Sequence, residues 1–378
     1  MRTAGLRYLF HESPKLLSKR EKGRDLSQLK NDLVIRAARG EATPTVPVWL
    51  MRQAGRSLPE YRAIRKRGSI LDTIQDVQLS AEITLQPVKR YGVDAAILYS
   101  DIIVPAFAVG FGIEVVAGKG PVVAEPFKSE EDLKRLRDLE PETDTAYVLE
   151  TIKVLVEELD IPLIGFAGAP FTVASYLVEG GPSKTYVKTK ALMRSNPKLW
   201  HKLMKRLARL AISSLESQIK AGATMFQLFD SWVGVLSPAE YREMVAPHTR
   251  EVFQTLAGLE VPTVHFGVGT GLLLDQIVDT GCTVIGIDDR ISLDEAHRIT
   301  GGKVALQGNL DPVNLVIGHD VALRESKKVL LASASSLGYI FNLGHGVLPE
   351  SDPQVIKAVV DFVHEYGNEF RRGAAAQE

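Results

Sequence analysis

Two arginines four residues apart, Arg52 and Arg56, stand at the end of the apolar run Pro47-Val48-Trp49-Leu50-Met51. A guanidinium stays charged at any working pH and presents a planar fork of donors that matches a carboxylate. Gln53 lies between them, and Arg62, Arg65, Lys66 and Arg67 follow against a single acid, Glu60. A site of this kind expects an anionic ligand carrying several carboxylates. The competing reading is a solvated basic face, the common fate of charge runs. Against it, Arg52 and Arg56 are set among Trp, Met, Leu and Gly rather than among polar residues.

The next chemistry-bearing residue is Asp101, between Ala95-Ala96-Ile97-Leu98-Tyr99-Ser100 and Ile102-Ile103-Val104-Pro105. A lone aspartate in apolar surroundings is costly to bury unless it meets a cation or hydrogen-bond donors. It could cap a following helix, or it could face the arginines that end the preceding strand, and the second reading is preferred. His345 is flanked by Gly344 and Gly346, where backbone can approach a ligand closely, and it reads as a site residue. Tyr176 follows the small-residue stretch Gly165–Thr172 and could donate its hydroxyl to an anion or pack in the core. Ser231 is open between helix cap and ligand donor, and His265 between site and hydrogen-bonded core.

Other chemistries lack support. The chain has no G-x-S-x-G elbow, P-loop or H-E-x-x-H motif. Its one cysteine, Cys282, has no histidine within two residues, which disfavours a zinc thiolate. Asp288-Asp289 could hold a metal, though an acid pair at the start of a helix is preferred, and the glycine run Gly267–Gly271 is a weak phosphate signal. A formal net charge of −1 argues against bulk nucleic-acid or membrane-surface binding, so the basic cluster is local. Carboxylate, guanidinium, imidazole and phenol remain to do the work.

These residues need a frame that brings them together. Eight short apolar runs alternate with helical stretches: 46–50, 95–99, 162–166, 224–229, 262–266, 283–287, 303–306 and 339–342. Most are continuously apolar, as parallel strands covered on both faces should be. Leu199–Ala221 has apolar residues at helical spacing with Lys and Arg opposite, and Leu272–Asp279 is a second helix, entered through glycines. Eight strand–helix units predict an α/β fold, a single-domain (β/α)8 barrel, with a doubly wound open sheet as alternative. Each run closes in a polar or glycine-rich turn, so a barrel would gather Arg52, Asp101, Ser231, His265, Asp288, Asn309 and His345 at one mouth. Residues 110–126 and 177–190 read as longer loops rimming it. Residues 1–29 read as a basic, acid-poor arm, with a plastid transit peptide and a plain disordered or vector-derived terminus as equal alternatives, and 30–378 as the barrel domain.

PVWLMRQAGRSLPEYR at 47–62, then IGFAGAPFT, QLFDSW, LQGNLDP and NLGHG, in this order across residues 30–365, resemble the uroporphyrinogen decarboxylase family. The resemblance implies a distorted barrel with its cleft at the C-terminal ends of the strands, a homodimer, and no metal or organic cofactor. The implied reaction removes CO2 from the four acetates of uroporphyrinogen III to give coproporphyrinogen III in tetrapyrrole biosynthesis. It implies that Asp101 accepts from the pyrrole N–H groups, that Arg52, Arg56 and Arg65 face substrate carboxylates, and that Gln53, in the same loop, also binds substrate. Tyr176, Ser231 and His345 match further substrate-holding positions. Asp101, Arg52, Tyr176 and His345 form the expected catalytic set, with Arg52 as acid or acid-orienting group. A position often filled by phenylalanine in this family is Ile70 here, which weakens any aromatic packing on the macrocycle at that point. Plastid stroma is the expected compartment, with cytoplasm as alternative. The rival activities are a methyltransferase of the same fold and a non-catalytic tetrapyrrole binder.

Overall fold

A computed structural model describes residues 24, 26, 29–65, 69–116 and 120–375. The basic arm of residues 1–20 and its transit-peptide reading lie outside the described residues. Seven parallel strands form the main sheet: β1 (Ala96–Ile97), β4 (Leu163–Gly168), β5 (Met225–Asp230), β6 (Thr263–Gly267), β7 (Val284–Gly286), β8 (Ala305–Leu310) and β9 (Tyr339–Leu343). β2 (Ile113–Val116) and β3 (Gly120–Val123) make a separate antiparallel hairpin. Strands of the main sheet neighbour one another in chain order, without the reversal that a doubly wound sheet requires.

The sheet curls around an inner core of one side chain from each of its seven strands: Ile97, Ile164, Met225, Val264, Val284, Ala305 and Ile340, all buried. Trp49 and Met51 join this cluster, as does the short helix Leu33–Ala38. Residues one position along, such as Leu163, Phe226, Leu306 and Phe341, pack in other clusters that include helical residues, as the two-residue period of a strand dictates. The helix Pro197–Ala221 confirms the amphipathic stretch expected there, capped by the Asn196 side chain accepting from Leu199 N. Leu272–Asp279 is only a 3-10 turn, Gly271–Leu273, followed by the helix Leu274–Val278.

The main sheet has seven regular strands where eight runs were expected. The run 46–50 has a single bridge, Val48 to Phe341, rather than a ladder. Local chemistry accounts for this, because Pro47 has no N–H to donate and the Val48 N–H is taken by the Asp94 carboxylate at 2.7 Å. Backbone bonds from this segment still reach β9 on one side (Phe341 N to Pro47 O, 2.9 Å) and Asp94 on the other (Asp94 N to Val48 O, 2.8 Å). The expected loop 110–126 contains the β2–β3 hairpin, and 177–190 is shortened from both sides by the helices Pro170–Glu179 and Val187–Ser195.

Asp94 organises this irregular edge. Besides Val48, its carboxylate accepts from Asn31 Nδ2 at 2.8 Å and from His364 Nε2 at 2.7 Å. Burial pulls the His364 imidazole down, but the bond and charge of Asp94 outweigh it and hold the group above its ordinary value. A raised folded-state value contributes stability that is full below about pH 6.5 and disappears as pH rises through the folded value. The melting temperature of the native chain should therefore exceed that of His364→Gln most below pH 6.5, with the gap closing at higher pH. A gap independent of pH would mean that the contact carries no charge.

Candidate active site

At the carboxyl ends of the strands lies a cavity of about 440 Å³. Its walls come from distant parts of the chain. Arg52 follows the irregular 46–50 segment, Tyr176 projects from the helix after β4, Ser231 and Trp232 follow β5, and His345 follows β9. Arg52, Tyr176, Ser231 and His345, singled out from the sequence, thus line one space.

The loop carrying Arg52 is held from beneath. Gln53 is buried; its Oε1 accepts from Leu50 N and its Nε2 donates to Ala95 O, both at 2.9 Å. Its amide therefore fixes the loop and does not face the cavity. Met51 N donates to Asn342 Oδ1 at 2.9 Å, and Val347 N to Met51 O at 2.9 Å, tying the loop to the segment that carries His345. Deeper in, Trp49 Nε1 donates to Gln307 Oε1 and Gln307 Nε2 to Gln227 Oε1, a fully buried polar chain joining the loop to β8 and β5. Arg52 and Arg56 both adopt left-handed backbone, with φ of 61° and 50°. That region costs a non-glycine residue about 1 kcal/mol or more and persists only where the surroundings enforce it. The Arg52 side chain passes over Gly346, where an added Cβ would lie 2.3 Å from Arg52 Cδ.

Asp101 adjoins the cavity through its neighbour Ile102, which lines it. Its Oδ1 accepts from Ile103 N at 3.1 Å, a local turn ahead of the helix Val104–Ala108; Ile103 is the N-cap of that helix and no side chain caps it, so the capping alternative does not hold. Burial raises the carboxyl above its usual range, opposed by the Ile103 and Ile102 N–H groups and by the charge of Arg52. Arg52 is pulled down to about 10, first by burial and then by Arg56, with Asp101 and Tyr176 opposing. It remains a cation at neutral pH. Tyr176 is pushed up to about 12 by burial and by Asp101, and is a neutral donor. His345 is pulled down to about 4 by burial, Arg52 and Arg56, so it is neutral too. Its Nδ1 accepts from Gly346 N at 2.8 Å, which leaves the proton on Nε2. The guanidiniums of Arg52 and Arg56 have no hydrogen-bond or ion-pair partner among the described residues.

The remaining expected residues are placed differently. Arg56 is felt electrostatically by Arg52 and His345 but is not part of the cavity wall. Arg65 points toward Thr73 (3.4 Å) and its charge acts on Tyr99 and Asp72, again outside the wall. His265 is a core residue, its Nε2 3.4 Å from Asp230 Oδ2 and its ring edge-on to Phe253. Asp288 clamps the glycine turn by accepting from Gly269 N at 2.6 Å, and Asn309 Nδ2 donates to the Asp288 and Ile291 carbonyls. No group of three or more metal-ligating side chains occurs among the described residues.

Sequence reasoning passed over Thr172, Lys184, Tyr186, Trp232 and Arg290, all in the wall. The Trp232 ring lies on Tyr176 with centroids 4.0 Å apart, and Tyr186 meets it edge-on at 5.4 Å. Thr172 donates to Asp230 Oδ1 at 2.9 Å and accepts from Trp232 N at 3.3 Å, which seats the tryptophan. The motifs GAPFT and FDSW contained Thr172 and Trp232; Lys184 and Arg290 gave no periodic or apolar signal.

The uroporphyrinogen decarboxylase family model matches residues 29–366. The chain belongs to the uroporphyrinogen decarboxylase family. Relatives named uroporphyrinogen decarboxylase include one from Streptomyces coelicolor, 53% identical over 87% of this chain and 93% of its own length. Those from Geobacillus kaustophilus and Thermus thermophilus are 49% and 48% identical, each over 89% of this chain and 97% and 98% of theirs. These relatives are bacterial, and bacteria have no plastids, which overturns the plastid and plant-type expectation; the cytoplasmic alternative fits them better. Basic, acid-poor composition is shared by many N-terminal arms, so it could not carry that distinction. No helix among the described residues is long and apolar enough to cross a membrane. Among solved structures, a methyltransferase from Methanosarcina mazei superposes with a TM-score of 0.75 at 21% identity, covering 88% of this chain and 97% of its own. A B12-independent methionine synthase from Shewanella gives 0.55 at 13%, again over 88% and 97%. The family thus shares its fold with methyltransferases, and these two likenesses speak to fold alone.

Proposed function

We infer that this chain decarboxylates the four acetate side chains of uroporphyrinogen III to give coproporphyrinogen III, without metal or organic cofactor. One observation carries the mechanism: the Asp101 carboxylate and the Arg52 guanidinium feel each other's charge beside a cavity that Tyr176 and His345 line as neutral donors. An acetate on a neutral pyrrole cannot lose CO2 directly, because the electron pair has nowhere to go. A proton added to a ring carbon beside the acetate makes an iminium that accepts the pair as the C–CO2 bond breaks. The resulting exocyclic methylene takes a proton to become methyl, and the ring gives up the first one. Each cycle consumes one proton and releases one CO2.

Asp101 stabilises the cationic ring in a site where a fixed charge acts more strongly than in water. Arg52, lowered to about 10 but still charged, is the acid or holds the acid in place. Tyr176 and His345, both neutral donors, bind side-chain carboxylates with Ser231. Arg56 and Arg65 meet carboxylates outside the cavity wall, and Gln53 acts by fixing the loop. The bonds on both sides of residues 47–49 support an eighth stave that closes a barrel domain over 30–378. We extend the proposal to a homodimer on the resemblance alone. Incubation of the purified chain with uroporphyrinogen III, anaerobic and in the dark, should yield the hepta-, hexa-, penta- and tetracarboxylate porphyrinogens in turn. Substrate bound but unchanged would leave only a tetrapyrrole binder.

A further inference from the structure

We propose that Lys184 and Arg290 form an outer cationic clamp that holds carboxylates of the rings not undergoing reaction. The inference rests on the decarboxylase reading above. Both residues line the cavity with Arg52, and no acidic side chain shares its wall. Three cations without a lining acid are an electrostatic deficit that a polycarboxylate would fill.

Each cation is held in place while its charge stays available. Lys184 lies in the turn between the helices Pro170–Glu179 and Val187–Ser195. The Ser183 hydroxyl accepts from Tyr186 N at 3.0 Å and Thr185 N at 3.4 Å, and Tyr186 is anchored on Trp232. Neighbouring lysines have local partners: Lys188 donates to Glu179 O and Lys190 to Val235 O. Lys184 has no hydrogen bond or ion pair among the described residues. Arg290 follows β7, and its Nε is 3.7 Å from Asp288 Oδ2. That same oxygen already accepts from Gly269 N at 2.6 Å. Gly269 itself, at φ +72°, leaves room for Arg290, since a Cβ there would lie 3.1 Å from Arg290 Nη1. Asp288 therefore orients the guanidinium without neutralising it in a close pair, and the Arg290 side chain stays two-thirds exposed at 66%. Its charge also reaches His345 across the cavity wall.

The test uses Lys184→Gln, Arg290→Gln and the double variant, with initial rates on uroporphyrinogen III at low and high ionic strength. Partly exposed charge contacts of this kind predict a KM raised about three- to fivefold in each single variant and about tenfold or more in the double. The kcat should stay within about twofold, since the clamp does not touch the reacting ring. Lys184→Arg should restore KM, and the salt dependence of KM should flatten in the double variant. Loss of kcat with KM unmoved, or an unchanged KM in a double variant that melts like the parent, would overturn the clamp while leaving the decarboxylase reading intact. A native chain that does not turn over uroporphyrinogen would remove both.

Discussion

Asp101→Asn is expected to lower kcat by about 10²–10³-fold, the cost of removing one preorganised group that faces developing charge. The substitution is isosteric, and an amide oxygen can still accept from Ile103 N, so the local turn and the melting temperature should be kept. What disappears is the negative charge that balances Arg52 and a cationic ring. The native pH profile should show the same group: burial raises the carboxyl, so kcat/KM should fall on the acid side above the usual aspartate range near 4. His345, at about 4, is already neutral there and adds no loss at pH 5 to 6. On the basic side, rates should fail near pH 10 as Arg52 deprotonates. Asp101→Asn retaining more than about a tenth of kcat would sink the electrostatic role.

Gly346→Ala is the second large effect, and it acts without altering any titratable group. An added Cβ would lie 2.3 Å from Arg52 Cδ, 2.6 Å from Cγ and 3.0 Å from Cβ. The side chain cannot yield only at its tip, because the contact runs along its stem, so the guanidinium must leave its position. A displacement of about 1 Å at a reacting centre can cost about 10²-fold in rate. We expect kcat to fall by that order with thermal stability little changed, since Arg52 has no hydrogen bond or ion pair to lose among the described residues. Full activity in Gly346→Ala would show that Arg52 works from another position than the one seen.

Much of this arrangement was legible before any coordinates. Strands β4 to β9 fell on runs of apolar residues because both faces of a parallel sheet are covered. Arg52 and Asp101 were visible for the opposite reason, as charges with no business among apolar neighbours. Residues 46–50 were hidden from the same logic. Their composition is that of a strand, but Pro47 and the Asp94 carboxylate remove the N–H groups a ladder needs, and Asp94 lies 46 residues away from Val48. Gln53 was misplaced because its partners, Leu50 N and Ala95 O, are set by the fold. Lys184 and Arg290 resembled ordinary surface charges; only their convergence on one cavity distinguishes them.

The left-handed backbone at Arg52 and Arg56 has a consequence for how this protein can change over generations. Glycine would relax both positions, so the most durable version of the fold is one that has lost its working cations. Selection for robustness alone would erode the anion-gripping loop first, and only continued demand for its chemistry keeps two arginines where the chain would rather not hold them.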